Sequence, residues 1–551
     1  MPPVVVGLFC LIAYALGYRL YARYLAQRVF RLDDENPTPA HTMRDDIDYV
    51  PTRSAVLFGH HFASIAGLSP MLGPAIAVIW GWVPALLWVV LGTIFLGAVH
   101  DFSALVLSMR AKGMSIGKVA EDVIGPRAKS LFHVIIFFLV ALAMGVFVHV
   151  VALLFTASFY PEAVGPTAWL MALALVTGWL VTRRGVPLLP LTAVGFVLVL
   201  LPVFFASPGQ GPQLETGTWK WILLGYAFIA SVLPVWMLLQ PRDYLNALLL
   251  YLGLGASYVG FFVLAPAFQA PAVDAEPVGA PPLFPFVFII IACGAISGFH
   301  GLVSSGTTAK QIGRESHATR IGYGAMIGES LLGLLAVFAC TAGFRDAPSW
   351  HAHYADWDTA SNLGGQISAF IEGCARFLGA LGVPVELAST FIALIVVSFA
   401  LTSLDSATRL LRFNLSEIGE APGLGVLRRR TVASLVATAS IGFFAFYEID
   451  GRAAGLALWQ LFGTTNQVLG GLTLLAVTVW LVQNGRNFWV TLVPMVALMG
   501  TTLIAMVEKL VDFSQQGAWP LLVIGTALLG ITLLLVVEAI RRLRFEWRKR
   551  G

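Results

Sequence analysis

Apolar runs long enough to cross a bilayer follow one another along nearly the whole chain, and this pattern excludes a soluble globular fold. A helix rises 1.5 Å per residue and needs about 20 apolar residues to cross a hydrocarbon core roughly 30 Å thick. Such runs lie near 3 to 27, 56 to 80, 83 to 108, 130 to 157, 167 to 182, 188 to 206, 221 to 239, 246 to 268, 285 to 304 and 321 to 343. Five more lie near 386 to 411, 430 to 447, 455 to 482, 488 to 508 and 518 to 540. Hydrophobic residues make up 58% of the 551 and charged residues 12%, which leaves little for domains outside the bilayer. The sequence predicts an all-α polytopic membrane protein of fifteen transmembrane helices. The stretch 365 to 383 contains Glu372 and Arg376 between Gly and Pro, and is read as a re-entrant or surface helix.

Charge placement sets the orientation. With the amino terminus outside, the Lys and Arg residues gather on one set of alternate segments, and only Lys220, Arg345, Arg376, Arg452 and Lys509 fall on the other. Basic residues near helix ends resist translocation, so the rich side is cytoplasmic and includes the carboxyl-terminal tail. Counting 365 to 383 as a span would put Arg428 to Arg430 and that tail outside. The first apolar run lacks a basic flank and a small-residue cleavage site, and is read as a retained helix. A net charge of +4 gives no nucleic-acid footprint, and the four cysteines form no CxxC pair.

Five spans in 56 to 206 begin inside, and five in 221 to 411 begin outside, which is the pattern of an inverted repeat. Residues 1 to 55 add one helix before the repeats, and 430 to 551 add four helices and a basic tail after them. Gly67, Ser69, Pro70, Gly73 and Pro74 interrupt the first helix of one half, and Pro234 that of the other. Unwound backbone survives in a bilayer only when packed in protein or lining a wet cavity, although a simple proline kink is the competing explanation.

Ionisable residues inside spans are costly and mark candidate sites. His60, Ser64 and Gly67 share a helix face, with His61 beside them, and His100 and Asp101 lie in 83 to 108. Ser297, His300, Ser304 and Thr308 form a polar stripe at helical spacing. Glu329 and Asp405 are further intramembrane carboxylates, and Arg409 offers Asp405 an i, i+4 partner. Asp243 sits beside Arg242 at a helix end, as a gate or a cap. Three uses remain open for the histidines: structural hydrogen bonding, proton or substrate handling, and metal or haem ligation at His60, His61, His100 and His300. No P-loop, dinucleotide fingerprint or nucleophile elbow is present, so ATP-driven pumping and enzyme chemistry are not expected.

The runs Leu57-Phe-Gly-His-His-Phe-Ala-Ser-Ile-Ala-Gly, Gly97-Ala-Val-His-Asp-Phe, Gln240-Pro-Arg-Asp-Tyr-Leu, Ala295-Ile-Ser-Gly-Phe-His and Ser304-Ser-Gly-Thr-Thr together resemble the carbon starvation protein A family. One departure is Ala309, where the family pattern has Pro. The resemblance implies a leucine-transporter-like five-plus-five inverted repeat within the amino acid, polyamine and organocation superfamily. It also implies a bacterial inner-membrane symporter importing small peptides, or pyruvate-like carboxylates, during carbon starvation. A substrate site is then expected between Gly67 to Pro74 and Ser231 to Trp236, involving Ser64, Gly67, Ser69, Pro70, Pro234, Ser297 and His300. His100 and Asp101 are the expected proton carriers. By analogy with similar transporters, Ser304 and Ser305, with Thr308 near, would face carbonyls around Ser64 to Gly67 and hold sodium. Expected partners are the substrate, the bilayer and a second copy held through the carboxyl-terminal helices.

Overall fold

The computed structural model describes residues 1–205, 209–449, 452–453 and 459–548. The start of the expected span 455 to 482, the end of 188 to 206 and the last residues of the basic tail lie outside the described residues. Among those described, ten helices are long and apolar enough to cross a membrane, and a bent pair adds an eleventh. The chain is a multi-pass membrane protein. The remaining expected spans, 188 to 206, 221 to 239, 285 to 304 and 430 to 447, form shorter or interrupted helices.

Helix α1 (Pro3–Val29) lies at the periphery and turns apolar side chains such as Leu8, Phe9 and Ile12 outward. The bent pair is α2 (Ser54–Ile65) with α3 (Ser69–Trp80), at 47°. Next come α4 (Trp82–Arg110), the short α5 (Ile116–Val123), α6 (Pro126–Leu154) and the pair α7 (Pro161–Arg184) and α8 (Leu188–Phe205). They are followed by α9 (Thr216–Val232) and α10 (Leu239–Leu264). A second interrupted span consists of α11 (Leu283–Ile290) and α12 (Gly298–Gly306). After it run α13 (Thr319–Ala342), α14 (Leu363–Gly379), α15 (Val385–Ile418), α16 (Arg430–Phe446) and α17 (Leu461–Gln483). Helices α18 (Trp489–Gln515) and α19 (Trp519–Phe545) close the chain.

The second interruption falls at 291–297, not at Pro234. Helix α9 ends at Val232, and Pro234 stands in the turn before α10. There it follows a helix that has already ended, so its missing N–H removes no intrahelical bond. Both true breaks open with the same backbone geometry: φ −75°, ψ 66° at Ala66 and φ −85°, ψ 65° at Ile291. These angles are those of an inverse γ-turn.

Helix α2 lies on α10 as α11 lies on α17, and α3 on α13 as α12 on α4. Helices α9 and α16 each pack against both α6 and α15, which also pack against each other. Helix α14 excludes one of the two expected forms of 365 to 383. It is packed against α3, α10, α13 and α15, with Ile371, Cys374 and Phe377 fully buried, and is not a surface helix.

Candidate functional site

The two breaks face one another: a Cβ built on Gly294 would lie 3.7 Å from the Pro70 Cα, and one on Gly73 only 2.5 Å from the Ile290 carbonyl oxygen. Gly73 is required at this crossing because the Ile290 backbone leaves no room for a side chain, whereas a Cβ at Gly294 would make only ordinary contacts. Free polar groups of the second break are met by side chains of α4 and α17. Trp88 Nε1 donates to the Ile291 carbonyl (3.0 Å), and Thr93 Oγ1 to that of Gly294 (3.2 Å). Asn466 Oδ1 accepts from the Phe299 N–H at 3.0 Å and so caps α12, while Asn466 Nδ2 donates to Ser297 Oγ at 3.0 Å. Every unpaired backbone group in a membrane interior costs several kcal/mol, so these partners are what permit a break without proline. No side chain caps the start of α3 among the described residues.

A cavity of about 530 Å³ opens between the broken helices. Ser69 at the start of α3, Ile289, Ile290 and Ala292 at the second break, and Phe462 on α17 line it. His149, Asp358 and Lys509 also face it; sequence reasoning did not select them, because His149 and Lys509 come from helices outside the polar stripes and Asp358 from a short loop helix. Lys509 Nζ lies 3.2 Å from Asp512 and 4.7 Å from the Phe286 ring centroid.

Two ionisable clusters lie deeper. In the first, Asp101 on α4 accepts from His100 Nδ1 at 2.8 Å and from His300 Nδ1 at 2.9 Å. An ionised carboxylate only accepts, so both rings carry their proton on Nδ1. His300 Nε2 then lies 3.2 Å from a Glu329 carboxylate oxygen. All four residues are completely buried, and His100 Nε2 and both Glu329 oxygens have no aligned hydrogen bond. In the second cluster, His60 Nδ1 donates to Asp243 at 2.6 Å, and Arg242 Nη2 to the other Asp243 oxygen at 2.6 Å. Arg242 also pairs with Asp405, which accepts from the Tyr226 hydroxyl at 2.5 Å.

Several sequence expectations change. Asp405 pairs with Arg242 on α10 and not with Arg409, whose guanidinium turns to the carbonyls of Ala230 and Leu233. The histidines do not converge on a common centre: His60 goes to Asp243, His61 to Thr308 Oγ1 at 2.8 Å, and His100 and His300 to Asp101. No group of three or more metal-ligating side chains is arranged to hold an ion among the described residues. Ser305 Oγ donates to the Gly301 carbonyl at 2.7 Å and accepts from the Ile116 N–H at 3.1 Å, and Ser304 Oγ points to the Asp101 carbonyl at 3.5 Å. Both are turned toward α4 and α5. The hydroxyls that meet Ser64 and Gly67 belong to α15: Ser406 Oγ is 3.1 Å from Ser64 Oγ, and a Cβ on Gly67 would lie 2.6 Å from Ser403 Oγ.

Residues 3–350 and 350–505 match a family described as carbon starvation protein CstA. The chain belongs to this family. A peptide transporter CstA of Campylobacter jejuni is 34% identical over 571 residues, spanning 93% of this chain and 80% of the relative. The peptide transporter CstA of Escherichia coli K12 is 34% identical, over 92% of this chain and 80% of the relative. The pyruvate/proton symporter BtsT of the same organism is 33% identical, over 91% and 81%. In fold, a manganese transporter of Eremococcus coleocola is similar at a TM-score of 0.50 and 13% identity, covering 92% of this chain and 99% of the other.

Proposed function

We propose that this family member is a secondary transporter, not an enzyme, that carries small peptides across the bacterial inner membrane by alternating access, coupled to protons. The observation that carries the substrate site is the cavity between the two interrupted helices, with Lys509 and Asp358 both on its wall. A peptide is a zwitterion, and opposite charges in one cavity suit its two ends. Its carboxylate is drawn to Lys509 and to the uncapped start of α3, where the helix dipole is positive. The Lys509–Asp512 pair is an i, i+3 contact with a half-exposed acid, of the kind worth about 0–1 kcal/mol, so exchanging it for a substrate carboxylate costs little. About 530 Å³ lies in the roughly 300–1,000 Å³ range of ligand pockets and exceeds what a three-carbon acid fills. Pyruvate is the second reading, favoured by the likeness to the pyruvate/proton symporter.

The proton is assigned to His300 and Glu329. With His300 Nδ1–H held by Asp101, its Nε2 lies 3.2 Å from a Glu329 carboxylate oxygen without hydrogen-bond alignment, and two buried acceptors so close favour a proton on one of the two groups. Asp101 fixes the tautomer, and His100 completes its hydrogen bonding. The amino terminus is assigned to the periplasm and the carboxyl terminus to the cytoplasm, with fifteen crossings. The matched packing favours repeats of 54–264 and 283–483, with α7 and α8 inserted in the first, over 56 to 206 and 221 to 411. Uptake into proteoliposomes of labelled alanyl-alanine and labelled pyruvate tests the substrate. Dipeptide uptake that Lys509→Met weakens supports the reading; pyruvate uptake alone replaces it.

A further inference from the structure

Where α1, α4 and α17 end, a second pocket of about 820 Å³ is built from parts far apart in sequence. Arg31 follows α1, Arg110 and Lys112 end α4, Arg486 follows α17, and Thr38 and Trp480 complete the wall. Two acids, Asp33 and Glu315, share it, but Glu315 is already taken by Arg110 at 2.9 and 3.0 Å and by the Asp33 N–H at 3.0 Å. Arg486 Nη1 donates to the Val29 and Phe30 carbonyls, while four other groups of the wall stay open. Thr38 is 1% exposed and its hydroxyl has no partner, and neither has Arg110 Nη1. Among the described residues, the Arg31 and Lys112 side chains make no hydrogen bond or ion pair.

Three further features agree. Arg110 and Arg486 both lie over the Trp480 ring, at 5.8 and 5.3 Å from its centroid, so two guanidinium groups are held close on one platform. Burial, then the charges of Arg110 and Arg31, hold Arg486 below the usual guanidinium range, as expected where like charges crowd. Only four non-glycine residues among those described have positive φ, and two are Arg31 (48°) and Lys112 (58°). That conformation costs an L-residue roughly 1–2 kcal/mol and persists where surrounding structure holds it.

We infer that this pocket binds a phosphate-type oxyanion, which ties the segment after α1 to the ends of α4 and α17. One carboxylate offers two oxygens and a single charge, too few for Arg31, Lys112, Arg110 Nη1 and the Thr38 hydroxyl together, whereas a phosphate offers three or four oxygens and up to two charges. A free phosphate and an anionic lipid headgroup share this chemistry.

The inference does not depend on the transport reading, since none of these residues lines the transport cavity. The test uses the purified full-length protein. Equilibrium dialysis with radiolabelled inorganic phosphate, with excess pyruvate as competitor, reads the free anion. Native mass spectrometry of protein drawn from phosphatidylglycerol-containing membranes reads the lipid. Arg31→Ala combined with Lys112→Gly removes both charges while glycine keeps the backbone at residue 112, and Arg31→Lys with Lys112→Arg restores them. The expected result is saturable phosphate binding, indifferent to pyruvate, or one retained phosphatidylglycerol. Either should weaken at least about tenfold in the charge-removing variant and recover in the restoring one. Which of the two is seen names the source. Equal binding by wild type and the folded double variant, displacement by pyruvate, or neither ligand bound overturns the inference.

Discussion

The two buried clusters use the same residue types and reach opposite states. Around Asp243 and Asp405, the fixed charge of Arg242 sits between the carboxylates, His60 bonds to Asp243 and Tyr226 to one oxygen of Asp405. Around Asp101 and Glu329 no Lys or Arg forms an ion pair among the described residues, and the partners of the two carboxylates are imidazoles. A guanidinium keeps its proton at any physiological pH, whereas an imidazole and a desolvated carboxylate exchange theirs. One cluster is a clasp joining α2, α9, α10 and α15, and the other, joining α4, α12 and α13, is the one to which the proposed function assigns proton exchange.

Removing the fixed cation should break this contrast most severely. Arg242→Met leaves two carboxylates buried against one another and should lower stability by about 3–5 kcal/mol, read as a large fall in the unfolding temperature and in folded yield from detergent extracts. Asp101→Asn should leave a folded protein, because its neighbours can neutralise. It should free the His300 tautomer, so that the pH dependence of uptake flattens while substrate counterflow persists. Asp243→Asn should do the reverse: about 1.5–3 kcal/mol of stability lost with the charge-assisted hydrogen bonds, and an unchanged pH profile in the folded fraction. Ser64→Ala gives up only the bond to Ser406 at the edge of the clasp, with an expected loss of about 0.5–1.5 kcal/mol and no change in coupling.

Local chemistry was readable in the sequence wherever it acts within one helix. The Gly67 to Pro74 cluster announces its break because glycine and proline weaken a helix interior whatever packs around it. The stripe Ser297, His300, Ser304 and Thr308 is visible by its period, although Ser297 meets Asn466 on α17 and Ser304 turns to α4 in place of the first break. The second break carries no such signal: Ile291 to Ser297 contains one glycine and no proline, and depends on Trp88, Thr93 and Asn466 arriving from other helices. Pro234 misleads for the same reason, since a proline marks where a helix cannot continue without saying whether it was due to end. Asp405 shows the limit most plainly. The i, i+4 rule offers Arg409, but the favourable partner lies on α10, and only the tertiary arrangement brings Arg242 there.

The central claim is that the proton assigned to His300 and Glu329 moves with substrate. Wild-type and Glu329→Gln protein, both folded and both competent in counterflow, would be reconstituted with a pH-sensitive dye inside the vesicles, and alanyl-alanine added outside. The account predicts that wild-type vesicles acidify as the dipeptide enters, while Glu329→Gln vesicles exchange dipeptide with no proton movement. Acidification of equal size in the variant would contradict it.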